Sequence, residues 1–567
     1  MRLSVSDFWL KGAFFVSTCG VTIVVNPLTA YDPINLIKML FLACGSFALL
    51  PYVLLKINVM KSMLLVSSFS LLMLLGMIVA LFHSDVEKNQ QLWGVWGRST
   101  GLLTYFSLAV LLIASAIYVT QSKSAVQLLN MFQKTSYFIT FYVVLQYAGL
   151  DPINWSQKLP FATLGNINFM SSLLGLATSL MISRTVFSVN SLASKAFLLT
   201  LCCLNSIIIF ASGSIQGLGI ILVGISITIF IKIWFYLGKL IALIFMMTIT
   251  LMGLLISLGT VGYGPLGRLL IQETVLYRLD YWNAGYRMFL DNPLFGVGID
   301  SYGDFYRMYR DLIAVERTGP GRISNTAHNV FLDVMSGSGA IAGLSFVAIY
   351  FGTSFLILRL ALSKQVLNDT KHLSVLLISG AVFMMVSINQ IGVAVWIFLF
   401  LGMAQGILSL YGKETDDSDN DKNRIRQKTN QAIVDISRKK DEKSLLVPLV
   451  SILSATFGIF ASSPPNIEDS KFLAAYKASN VREMSSIVER SGATLFHKEK
   501  LLEYLVKNST EEVALKNAQK LFAENPRSFF AAQVIFFSKS SSSEEKMAAS
   551  RALRSLDPKN ERVLEGN

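Results

Sequence analysis

Residues 261–343 read VGYGPLGRLLIQETVLYRLDYWNAGYRMFLDNPLFGVGIDSYGDFYRMYRDLIAVERTGPGRISNTAHNVFLDVMSGSGAIAG. This polar stretch interrupts two oily runs. Lys239–Thr260, just before it, is KLIALIFMMTITLMGLLISLGT, and apolar sequence resumes at Val330-Phe331-Leu332, directly after His328 and Asn329. Arg268, Arg278, Arg287, Arg307, Arg310, Arg317 and Arg322 all lie inside the interruption. Oily flanks around a cationic, aromatic-rich insert predict membrane spans that present a large extramembrane loop, and that reading sets the fold class.

The whole chain agrees with it. Of 567 residues, 53% are hydrophobic and only 15% are charged, too few polar groups to cover a soluble protein of this size. The expected fold is all-α, a polytopic membrane helix bundle. Apolar runs of roughly 20 residues, the length that crosses a bilayer, fall at 12–30, 35–55, 62–82, 101–120, 126–149, 165–183, 196–211, 215–236, 239–260, 329–358, 373–388 and 391–411, about twelve spans within residues 1–411. The net charge of +13 reads as cations retained in cytoplasmic loops, and secondarily as affinity for anionic membrane lipid. It does not call for nucleic acid. Cys19, Cys44, Cys202 and Cys203 sit in apolar segments and read as packing residues, and the first oily segment shows no cleavable signal pattern.

Placing Arg2 and Lys11 in the cytoplasm puts Lys56 and Lys61, Lys123, Arg184 and Lys195, Lys239, Arg359, Lys364 and Lys371 on the same side. The opposite turns, around Asp32, Ser214 and Asn389, hold no cations, as the positive-inside rule requires. The insert then faces away from the cytoplasm. Residues 412–444 form a charged cytoplasmic linker, 445–463 are long enough for an additional transmembrane helix, and 466–567 form a helical tail. In that tail ALKNAQKLFAENPRS and KMAASRALRSLDPKN each end on a proline, Pro526 and Pro558. That is how the second helix of a tetratricopeptide (TPR) unit ends, so the tail is TPR-like or an irregular helical domain, and a surface for a protein partner.

Within the insert, Glu273 to Leu290 reads as a helix with Arg278, Trp282, Gly285 and Phe289 along one stripe. Asp291-Asn292-Pro293 ends it, and Gly296 and Gly298 allow a tight turn. Arginine suits bidentate phosphate recognition, while Tyr281, Trp282 and Tyr286 suit the head-group layer. Arginines and aromatics beside a membrane also serve as plain anchors. His328, at the mouth of a span, is either a structural hydrogen bonder or an active group at the external face. His83, His372 and His497 lack such a setting and read as surface or interface residues. Five aspartates lie between 280 and 311, without a spacing that reads as a metal site.

Arg278-x-x-Tyr281-Trp282, Asp291-Asn292-Pro293-Leu294-Phe295-Gly296-Val297-Gly298, His328-Asn329-x-x-Leu332 and Gly337-x-Gly339 together resemble the O-antigen ligase and polymerase superfamily. Three earlier pieces agree: Gly97-Arg98-Ser99-Thr100-Gly101-Leu102-Leu103, Gly165-Asn166-Ile167-Asn168-Phe169 and Ser212-Gly213-Ser214-Ile215-Gln216-Gly217. The chain departs from the family pattern at Ile215-Gln216, where members often carry an arginine, and at Ala342, where they often repeat a glycine.

The resemblance implies a GT-C-like bundle, with the ligase-related region at about 200–390 and a catalytic loop at 261–328. It further implies a bacterial inner-membrane glycosyltransferase of lipopolysaccharide or polysaccharide biosynthesis. Such an enzyme moves a glycan from a polyprenyl (undecaprenyl) diphosphate carrier to a hydroxyl on a lipid or protein acceptor, at the periplasmic or exterior face. By the same resemblance it needs no cofactor or metal and inverts the anomeric centre. Arg278 and His328 are the expected catalytic pair. Arg268, Arg98, Gln216, Tyr281, Trp282 and Asn329 are expected to bind diphosphate or substrate, while Asn166 and Asn168 serve equally as packing groups between helices. Polymerase and protein O-oligosaccharyltransferase activities remain alternatives within the family. A lipid-linked sugar transporter or flippase is the alternative from another class, although the two homologous halves such folds often carry are not visible here.

Overall fold

In lipid a backbone must satisfy its own polar groups, so apolar segments of this length fold as helices. The computed structural model describes residues 5–56, 58, 64–155, 159–189, 191–416 and 446–564. Among them there are helices and no β-strand. Ten helices are long and apolar enough to cross a membrane. Nine coincide with expected spans, and the tenth is Val447–Lys477. The other three expected segments are helical too: two shorter apolar helices, Phe8–Ile23 and Ser67–His83, and Val126–Tyr147, whose buried face carries Gln133, Thr135, Ser136 and Thr140. The protein is a multi-pass helical membrane protein. The expected linker falls mostly at 417–445, outside the described residues.

Polar groups inside the bundle are spent on joining helices. Lys38 is fully buried and its Nζ donates to the carbonyls of Val21, Thr22 and Val24 at 2.7, 2.9 and 3.1 Å, closing the open end of the first helical segment. His372 is buried too, with Ser183 on Nδ1 at 2.8 Å and Ser188 on Nε2 at 2.7 Å. It is therefore an interior link between helices and not a surface residue. Of the cysteines, Cys19 and Cys202 are buried and Cys203 is exposed.

The long helix Leu446–Lys477 runs along Asn35–Leu55 so closely that a Cβ on Gly458 would sit 2.7 Å from the Ala43 carbonyl oxygen. It leads straight into the tail helices Val481–Val488, Leu495–Asn508, Glu511–Glu524, Phe529–Phe537 and Ser543–Leu556. Pro526 and Pro558 stand just past two of these helix ends, as their sequence context predicts. The tail packs on the turns that share a side with the 261–328 insert. Buried Asp469 accepts from the backbone N–H groups of Tyr31 and Asp32 at 2.6 and 3.0 Å and from Trp96 Nε1 at 2.9 Å, and lies 3.1 Å from His497 Nε2. Phe496 stacks flat on Trp96 with ring centroids 3.7 Å apart. His497, fully buried, is thus part of this interface core.

Candidate functional site

The insert is anchored by a break in a membrane helix. Val330–Ala361 is interrupted at Gly339, whose φ of 74° and ψ of −174° are non-helical. A break leaves backbone groups without their usual partners, and the segment Pro293–Gly298 supplies them. Ala340 N–H donates to the Pro293 carbonyl at 2.7 Å, Val297 N–H to Ser336 at 2.8 Å, and Gly298 N–H to Gly337 at 2.9 Å. No side chain fits between the two strips of backbone. A Cβ on Gly339 would lie 2.1 Å from the Leu294 oxygen, and one on Gly296, whose φ is 69°, would lie 2.4 Å from the Gly337 carbonyl carbon. The glycines that sequence alone assigns to a tight turn are one half of an interlock. Ala342, where a further glycine is often found, meets Gly76 of the helix Leu64–His83, so the close approach is made by a glycine on the other helix.

This interlock fixes the end of the loop helix Glu273–Asp291. Its buried residues are Asp280, Tyr281, Ala284, Gly285 and Met288, a face turned slightly from the predicted stripe. Aromatic packing sets the register. Tyr281 meets the edge of Tyr306 at 5.6 Å, Tyr302 Oη donates to the Tyr281 carbonyl at 2.7 Å, and Gly285 lets Leu332 and Tyr302 approach. Arg317 donates to both Asp280 oxygens at 2.6 Å. Arg278 and Trp282 flank the buried face, half-buried themselves.

Next to this helix stands His328, held in the left-handed region at φ 52°, uncommon for a residue with a Cβ. Asp333 holds its turn: Oδ1 accepts from Ala327 N–H at 2.7 Å, Oδ2 takes the Thr326 hydroxyl, and Thr326 Oγ1 accepts from His328 N–H at 3.1 Å. Asn329 caps the following helix, accepting from Leu332 N–H at 3.1 Å. Arg98 braces the turn from a distant strap. Its guanidinium pairs with Asp300 at 3.1 Å and Asp333 at 3.9 Å and donates to the Asn325 carbonyl.

The His328 ring stacks on Tyr281 with centroids 5.4 Å apart and planes 27° apart. Burial, then the charges of Arg278 and Arg98, hold its pKa down at about 4, so the imidazole is neutral at physiological pH. Arg278 is also held below its ordinary value, chiefly by burial. Its Nε and Trp282 Nε1 are buried without hydrogen-bond partners. It forms no ion pair with any described residue, although the guanidiniums of Arg98, Arg287, Arg307, Arg310 and Arg317 all do. A half-buried cation without a counter-ion among the described residues, beside a neutral base on an aromatic platform, is equipped to receive an anion and a proton.

Among known sequence families, the one described as O-antigen ligase matches residues 197–347. The chain carries an O-antigen ligase domain. No curated protein matches the chain. The matched segment contains the loop helix, the interlock and the His328 turn, while Arg98 lies outside it and reaches the O-antigen ligase domain only through folding.

Of the residues expected at the site, Arg278, Tyr281, Trp282 and His328 come together in the ligase domain. Asn329 adjoins them as a helix cap. Arg98 adjoins them as a brace, and its charge is already neutralised by two carboxylates. Arg268 is exposed on the short helix Gly267–Leu270. Gln216 donates to Ser172 at 2.8 Å across a helix pair, beside the Ser171, Ser214 and Asn168 cluster, and its Oε1 is buried without a partner. Asp333 and Asp300 escape a sequence reading centred on cations. Asp333 carries a signal of its own, an acid inside an apolar helix five residues past His328, since ionisable groups there are costly and rarely idle.

Proposed function

We propose that this protein is an O-antigen ligase-like glycosyltransferase that moves a glycan from a polyprenyl diphosphate carrier to an acceptor hydroxyl at the outer face of the bacterial cytoplasmic membrane. The observation that carries the reading is Arg278, a half-buried guanidinium whose Nε is buried and which has no ion-pair partner among the described residues, beside neutral His328. Outside the cytoplasm no nucleotide is at hand, so the energy for transfer resides in the sugar diphosphate bond. The acceptor oxygen attacks the anomeric carbon, and the carbon–oxygen bond to phosphate breaks. Its electron pair leaves with the diphosphate, where Arg278 stabilises the growing charge. His328 takes the acceptor proton, a role open to a weak base because the hydroxyl becomes acidic as its new bond forms. One displacement inverts the centre. Tyr281 holds the His328 ring, Trp282 offers its unpartnered indole N–H to the donor, and the tail lies with the loop on the exterior.

The pH dependence follows from His328. Its pKa is depressed below the ordinary value of 6.5 to about 4, so the neutral form persists as pH falls through 6.5 and is lost only near 4. The acid limb of kcat/KM, which reports the free enzyme, is expected near pH 4. The limb of kcat is expected higher, because bound diphosphate favours the imidazolium. An acid limb of kcat/KM at pH 6.5 contradicts a buried, cation-flanked base.

Deleting the protein is expected to leave carrier-linked glycan accumulated on the outer leaflet, with the product glycolipid or glycoprotein missing by mass spectrometry. The missing species identifies the acceptor. Carrier-linked glycan confined to the inner leaflet would instead assign a flippase.

A further inference from the structure

The most deeply buried arginine of the insert belongs to a second structure, away from the Arg278–His328 centre. Arg310 has a fully buried side chain and donates to Asp557 through Nη2 at 2.6 Å and Nε at 3.2 Å. Arg307 Nη1 lies 3.4 Å from the same carboxylate, itself fully buried at the end of the last tail helix. The remaining donors of the two arginines reach back into the insert. Arg310 Nη2 and Arg307 Nη1 each donate to the Pro320 carbonyl at 3.0 Å, and Arg310 Nη1 to the Arg322 carbonyl at 3.0 Å. Two residues past Arg322 the Ser324–Thr326 turn begins, and it leads into His328. The Arg322 side chain lies over Tyr277, 4.9 Å from the ring centre and one residue before Arg278. A carboxylate 229 positions downstream of His328 in the chain therefore pairs with both cations that hold the 320–322 backbone leading into its turn.

We infer that Asp557 is a positioning residue for the proposed transfer, making the tail a built-in brace of the loop. It holds Arg310 and Arg307 on the 320–322 backbone and so fixes the turn that presents His328. Without the carboxylate, fully buried Arg310 would keep only carbonyl partners and Arg307 only the Pro320 carbonyl and the face of Phe529, 4.1 Å away, and the cheapest relief is for the 319–326 strap to lift towards water. Such a shift moves His328 relative to Arg278. Chemistry is sensitive to shifts of about 1 Å, whereas donor affinity set by Arg278 and the lipid is less so.

The inference rests on the transfer reading, and the full-length protein in nanodiscs separates the two. Hydrogen exchange needs no turnover. Asp557→Asn is expected to raise amide exchange at 319–328 about tenfold while the membrane helices stay protected. It should also lower kcat about 10- to 100-fold, with KM within about twofold. Asp557→Glu, which keeps the charge, restores most of both. If Asp557→Asn does not fold, Arg307→Lys carries the same two measurements with smaller expected shifts. Wild-type exchange at 319–328, a kcat loss without added exchange there, or loosening spread evenly over tail and bundle overturns the brace. Full transfer by Arg278→Ala overturns the transfer reading instead, whatever Asp557→Asn does.

Discussion

Arg278→Ala is expected to lower kcat/KM for glycan transfer about 10³-fold while the protein remains folded in the membrane. The two halves of that expectation have one cause. Arg278 has no ion pair with a described residue, and its Nε is buried without a partner, so in the resting protein it is an uncompensated cost that bound diphosphate relieves. Removing it takes away the donor's counter-charge but no internal bond. Thermal stability should hold or rise, as when other strained functional groups are replaced. Arg278→Lys should recover only part of the loss, since an ammonium cannot offer the planar fork of donors that fits a phosphate. The alanine variant also removes one of the two charges that depress His328, so its remaining activity should lose its acid limb at higher pH than the wild type. Purified protein with a lipid-linked donor, assayed across pH, checks each of these.

Gly339→Ala should be as damaging to transfer, through the fold. The backbone there has φ 74° and ψ −174°, a region open almost only to glycine, and forcing a side chain into it costs about 1–3 kcal/mol. The new Cβ would also lie 2.1 Å from the Leu294 oxygen, so the Pro293–Gly298 segment must move away. That adds about 1–3 kcal/mol of overpacking and releases the three backbone hydrogen bonds that tie the insert to the broken helix. Because the loop helix ends at this tie, Arg278 loses its register against His328. Thermal unfolding in detergent should report the lost stability, and exchange at 293–298 should rise more than elsewhere. A variant with wild-type melting and transfer would show that the interlock does not hold the site.

How far the sequence reaches can be told residue by residue. The spans are legible because hydropathy over about 20 residues is a local property. Arg278 and His328 stand out because cations and a lone histidine are conspicuous beside oil. The interlock is invisible in one dimension: it pairs backbone at 293–298 with backbone at 336–340, and glycines report only that something comes close. The buried face of the loop helix is misjudged for a related reason, since Tyr302 and Tyr306 arrive from another helix and choose Tyr281 over Trp282. The count of seven arginines overstates the phosphate-binding charge, because carboxylates occupy four of them: Asp280 and Asp311 within the insert, whose pairing only the fold reveals, and Asp557 in the distant tail. His497 stands in an interface, one of the two settings its sequence allows, whereas the interior place of His372 is hidden because its partners Ser183 and Ser188 come from a remote segment.

The most direct test places purified protein in liposomes with a polyprenyl diphosphate-linked glycan and an acceptor, and follows product and released carrier diphosphate together for wild type, Arg278→Ala and His328→Ala. Wild type should release one carrier diphosphate for each glycan joined, while each variant, folded and inserted, falls at least about 10²-fold below it. Near-normal transfer by both variants would contradict the assignment of the reacting centre to Arg278 and His328.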